Sequence, residues 1–139
     1  MTQEQKQLLL KDLCARLPYG VKCHFKYGTA ESDITLKCID GDVARFDYGW
    51  YGKFHVIIDP QYIKPYLRSL SSMTEEEKVE IQDLYHKNTQ EVFKDPSEIR
   101  GYRFYDISVV DWLNEHHFDY RGLIEKGLAL EAPKGLYKQ

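Results

Sequence analysis

Long apolar runs are missing from this chain. No uninterrupted stretch exceeds a few residues, whereas a membrane-crossing helix needs about 20, so no transmembrane helix is expected. The opening MTQEQKQ is polar and mixed in charge, unlike a secretory leader, and the expected compartment is cytoplasmic. Cysteine is sparse: Cys14, Cys23 and Cys38, an odd number without C-x-x-C spacing. That argues against a disulfide framework or a zinc site, and each cysteine reads as a small core-facing hydrophobe. Glycine never gathers into a phosphate-binding loop or dinucleotide fingerprint, and there is no G-x-S-x-G elbow. Excess positive charge is missing too. Lys and Arg number 19 against 22 Asp and Glu, a net charge of −3, so the global field does not attract nucleic acid or an anionic membrane. No cofactor and no metal is expected.

What is present is ordinary for a globular protein, with 42% hydrophobic and 29% charged residues. A length of 139 residues suits a single α+β domain over residues 1–139 with a core of its own. Eleven tyrosines bring the aromatic share to 14%. Tyrosine suits half-buried positions where the ring packs and the hydroxyl stays wet.

The spacing predicts an N-terminal helix over residues 3–17, with Leu10, Leu13, Cys14 and Leu17 as its apolar face, widened by Leu9 and ended by Pro18 and Gly20. Four segments of period-two alternation follow, over residues 21–27, 34–38, 44–48 and 54–59. They predict a four-stranded antiparallel meander, either an open sheet or a small barrel. Residues 28–33 read as a loop, Asp40-Gly41-Asp42 as a turn, and residues 49–52 as a hairpin tip. Residues 63–73 read as a packed extended crossing, because Pro65 disfavours helix before it.

The C-terminal half reads as helices packed on one sheet face. Thr74 and Glu77 form a capping box for a helix running to about residue 87. Asp106 or Ser108 caps a second helix, with Val109, Val110, Leu113 and His117 inward. Asp119 caps a third through Lys126, which Gly127 ends. Leu128-Ala129-Leu130 reads as a short extended return. The tail from Lys134 is expected to be loosely held, with Tyr137 as its docking residue.

Three segments carry a resemblance: KDLCARLPYGV at residues 11–21, IKPYLRSLSSMTEEE at 63–77, and DWLNEHHFDYRGLIEKGLALEAPKGLY at 111–137. Together they resemble a family of uncharacterised Bacteroidetes proteins associated with prophage-like or other mobile elements. The resemblance implies association with such an element and transfers no catalytic or binding role.

Three groups of residues are functional candidates. His116, His117 and Asp119 bring acid–base and metal-ligating side chains to one junction, as a hydrolase or metal site would. Neighbouring helical residues point about 100° apart, however, and the spacing also fits a helix end followed by a cap. Second, parity places Lys22, His24, Lys26, Lys37, Arg45 and His55 on one outer sheet face, alongside Asp47 and Asp59, with Trp50, Tyr51 and Lys53 at the hairpin tip. Of these, Lys22, Lys26, Lys37, Arg45, Trp50, Tyr51 and Lys53 are the binding candidates, because cations among aromatic rings suit a single-stranded nucleic acid. Third, the helices around the junction faintly match a helix-turn-helix, but residues 120–126 offer only Arg121 and Lys126 as basic groups. The expectation is a non-enzymatic binding or structural accessory protein, partnered by another protein or by its own copies. Nucleic-acid binding is the alternative, and a histidine-based enzyme the third.

Overall fold

The computed structural model describes residues 2–47, 52–89 and 107–137. Helix α1, Gln3–Arg16, starts on a capping box: the Thr2 hydroxyl accepts from the Gln5 N–H, and the Gln5 side chain accepts from the Thr2 N–H, both at 3.1 Å. A 3-10 turn, Leu17–Tyr19, and Gly20 at φ 67° end it. The expected apolar face is shifted by one residue. The buried positions are Leu9, Asp12, Leu13 and Arg16, while Cys14 is exposed and Leu10 and Leu17 are half-buried. An ion pair has taken the inner face, because Arg16 bonds Asp12 at 2.8 Å and both side chains are fully buried.

The single meander divides into two sheets. Strands β1, Lys22–Tyr27, and β2, Ala30–Thr35, form a hairpin closed at Tyr27 opposite Ala30. Most of the expected loop at 28–33 is therefore strand. The turn needs only Gly28 and Thr29, and Gly28 supplies the positive φ of 62°. The chain turns a corner at Leu36-Lys37 and enters the second sheet, β3 (Cys38–Asp40), β4 (Val43–Asp47) and β5 (Lys53–Ile57), in that order. The expected Asp40-Gly41-Asp42 turn joins β3 to β4. Both sheets face one core, in which the Phe25 ring of β1 lies 4.7 Å from Phe46 and 5.5 Å from Phe54.

The crossing at residues 63–73 begins as a strand. β6, Ile63–Leu67, pairs antiparallel with β1 and parallel with β7, Leu130–Glu131, so the first sheet is mixed, in the order β2-β1-β6-β7. Proline usually avoids inner strands for want of an N–H. The bond from Lys26 N–H to Tyr62 O sets the phase of the ladder. In that phase Pro65, opposite Cys23, occupies a non-hydrogen-bonded position toward β1, and pairing with β7 begins only at Tyr66 opposite Leu130.

Helices α2, Glu75–Thr89, and α3, Ile107–Glu115, pack around a second core of Leu70, Met73, Ile81, Val109, Trp112, Leu113 and Phe118. The α2 capping box forms as expected. Thr74 and Glu77 exchange bonds of 3.0 and 3.2 Å, and Glu77 also takes both ends of the Arg68 guanidinium at 2.7 Å. Asp106 lies outside the described residues, and Ser108 sits within α3. The third expected helix does not form. Asp119 does cap, accepting the N–H of Leu123 at 2.8 Å and of Ile124 at 3.0 Å. Gly122 and Gly127 then take φ of 76° and 74°, which break the path into turns. Among the described residues no helix is long and apolar enough to cross a membrane.

Candidate functional site

Helix α3 ends in a Schellman motif. Phe118 N–H bonds Leu113 O at 2.9 Å and His117 N–H bonds Asn114 O at 3.1 Å. The residue that must turn left-handed is His117, at φ 61°, where glycine is usual. A side chain there costs on the order of 1 kcal/mol. The chain then runs beside the end of β6: Arg68 N–H bonds His117 O, and Asp119 N–H bonds Arg68 O, both at 2.8 Å.

The left-handed step sends the two imidazoles to different partners. His116 stacks on Trp112 with ring centroids 4.0 Å apart, and its Nδ1 donates to Trp112 O at 2.9 Å. His117 stacks on Tyr137 at 3.8 Å. Asp119 faces backbone N–H groups, as described. The three candidate residues are thus adjacent in the chain but share no focus. Among the described residues there is no cluster of three or more metal-ligating side chains.

Tyr137 is the docking residue the tail was expected to provide, and it does structural work at the sheet. One step beyond the Cys23–Pro65 pair, Lys22 and Tyr66 should close the next rung between β1 and β6. The Tyr137 hydroxyl stands in for it, accepting from Lys22 N–H at 2.9 Å and donating to Tyr66 O at 2.7 Å.

Behind the junction lies a buried charge cluster. Asp12 takes Arg16 at 2.8 Å and Arg121 at 2.9 Å, and Arg16 also donates to Phe118 O at 2.6 Å. Arg16 Nη1 and His117 Nδ1 are buried without a hydrogen-bond partner among the described residues. Arg68 lies 4.2 Å over the Phe118 ring. Burial works against the Glu77 carboxylate, but its bonds to Arg68 and Thr74 hold it below its usual range. His117 is pushed down to about 4, first by burial and then by the positive charges of Arg16, His116, Arg68 and Lys22. It is neutral at pH 7.

A recess of about 700 Å³ opens at this junction, lined by Tyr19, Gly20 and Lys22 on one side and by Glu115, His116, His117 and the tail residues Gly135 to Tyr137 on the other. A second hollow of about 450 Å³ shares Arg68, Gly135 and Tyr137 with it.

The expected basic face is distributed differently. Lys22 lines the recess. His24, between it and the exposed Lys26 on β1, is held by Asp33 at 2.8 Å and Glu31 at 3.0 Å. The bond from His24 lowers the Asp33 carboxyl, against the opposing effect of burial. Tyr66 also donates to Asp33 at 2.8 Å, and burial with that contact pushes its phenol up to about 12. Arg45 belongs to the second sheet and pairs with Asp40 at 2.8 Å. Lys53 sits opposite Asp47, and Lys37 is exposed at the corner between sheets. Asp59 is buried and pairs with Lys6 at 3.1 Å. Trp50 and Tyr51 lie outside the described residues. Of the cysteines only Cys23 is in the core, where burial pushes its thiol up; Cys14 and Cys38 are exposed.

Arg16, Asp12 and Arg68 were not singled out by sequence reasoning. The i, i+4 spacing of Asp12 and Arg16 was visible, but such a pair is usually a surface feature. No family model matches the chain, and no characterised protein or solved structure is significantly similar to it.

Proposed function

We propose that this chain is a non-enzymatic binding protein, and that the recess between the His116-His117 junction and Tyr137 is its ligand site. The observation that carries this reading is His117. It combines a strained left-handed backbone, an unpartnered buried nitrogen and a place in the wall of a sizeable cavity. Such costs gather where a structure serves binding or catalysis. Catalysis is the less favoured of the two. A histidine held down at about 4 is a weak base at neutral pH, and His116 and Asp119 are engaged elsewhere. The free, partly exposed cysteines suit the reducing cytoplasm.

Nucleic-acid binding is the less favoured reading for the sheet face, since Asp33 and Glu31 on β2 hold His24 and Asp40 on β3 holds Arg45. The test is backbone amide shift mapping against a fragment set and a single-stranded oligonucleotide. Shifts clustering at Tyr19, Lys22, His116 and Tyr137 with fragments are expected. Shifts confined to β1, β4 and β5 with the oligonucleotide would overturn the reading.

A further inference from the structure

The lining of the recess constrains what it can hold. Its charged side chains are Lys22, Arg68 and Glu115, and the two imidazoles line it beside them. Glu115 is exposed on the helix end. Arg68 is committed to Glu77 through two bonds of 2.7 Å. Lys22 is different. Its backbone is fixed by Tyr137 and the residue is half-buried, but its ammonium has no acid partner among the described residues. Behind the wall, Arg16 keeps Nη1 unpartnered. A cation beside a concave, poorly hydrated wall attracts a counter-ion more strongly than one on open surface.

We propose that the recess binds a small anion presenting a carboxylate or phosphate group, with the Lys22 ammonium as its counter-ion. The inference rests on the recess being a ligand site. Lys22 approaches from the sheet, at the point where Tyr137 holds β1 and β6 apart. His116 approaches from the helix. Its Nδ1 is taken by Trp112 O, so Nε2 is the nitrogen left to meet a ligand. Tyr137 and His117, stacked on each other, form a flat wall between them. The charges that act on His117 from around this wall are those of Arg16, His116, Arg68 and Lys22, while Asp12 acts on Tyr137 from behind it.

The stack of His116 on Trp112 supplies a reporter. In Trp50→Phe protein, Trp112 fluorescence and the amide shifts of Lys22, His116 and Tyr137 are followed during titration with inorganic phosphate and with succinate, against chloride at matched ionic strength. A saturable response to at least one anion is expected, and whichever binds more tightly distinguishes a phosphate site from a carboxylate site. Lys22→Met should weaken it at least about tenfold, and Lys22→Arg should restore most of it. An anion response unchanged in folded Lys22→Met protein would overturn the assignment of Lys22. If neutral fragments shift the recess resonances while neither anion does, the anion inference falls and the ligand site stands. If nothing shifts them, both fall.

Discussion

Two residues apart on the same face of β1, His24 and Lys22 meet opposite environments. His24 lies between two carboxylates at 2.8 and 3.0 Å in the open, whereas Lys22 borders the recess with no acid against its ammonium among the described residues. Both are nitrogen-bearing side chains on an outward strand position. The difference is register: β2 brings Asp33 and Glu31 alongside His24, while at Lys22 the ladder gives way to Tyr137. A count of basic residues along the chain therefore does not locate a binding surface. The neighbouring strands engage His24 and Arg45, while Lys22 stands where the pairing with β6 ends.

The comparison can be broken most forcefully at its buried end. Replacing Arg16 with Met leaves Asp12 with only Arg121 and Phe118 O with only the Tyr120 N–H. A loss of about 3–5 kcal/mol is expected in urea unfolding, as for other broken buried pairs. A loss below about 1 kcal/mol would mean that the cluster is effectively at the surface.

The next effect is pH-dependent. His117 has a lower proton affinity folded, at about 4, than its ordinary value of 6.5. Between those values the unfolded chain binds the extra proton, so stability falls as pH drops through that window and is intact above it. The contribution is on the order of 2 kcal/mol after allowing for partial solvent contact. His117→Asn, which tolerates the left-handed backbone, should flatten the profile there. It should leave the steeper loss at lower pH, where Glu77, Asp33 and Asp59, all held low, take up protons.

Tyr137→Phe removes only a hydroxyl. It leaves Lys22 N–H and Tyr66 O without their rung, and about 1–2 kcal/mol should be lost. Amide exchange at Lys22 should accelerate, while exchange at Phe25, deeper in the sheet, should not. The smallest effect is expected on the open face. Asp40→Ala breaks a pair whose members are both more than half exposed, and should cost less than about 1 kcal/mol by thermal melting, shrinking further in salt.

The same contrast explains which parts of the fold were legible in the sequence. The α1 segment, the strand cores, the turn at Gly41 and the Thr74–Glu77 box follow from local spacing and capping chemistry, which act over a few residues. The start of β2 did not show, because Glu31, Ser32 and Asp33 carry no apolar alternation and are strand only through pairing with β1. β6 was hidden by Pro65, whose position in the ladder depends on partners about 40 residues before and 65 after it in the chain. The rotation of α1 came from burying Asp12 and Arg16, which pattern reading assigns to solvent. At the candidate site, the junction histidines were visible as residue types. Their divergence depends on the left-handed step at His117, and the recess depends on Tyr137 returning to β1 from the far end of the described chain.

The ligand site stands or falls with His117, which sits neutral and buried beside cations at the wall of the recess. An NMR titration of the imidazole resonances, assigned with His117→Asn, tests it directly. The account predicts that the His117 ring stays neutral down to about pH 5 and titrates near 4. A midpoint near the ordinary 6.5 would contradict it, because an imidazole buried with an unpartnered Nδ1 beside cations does not take up a proton that readily.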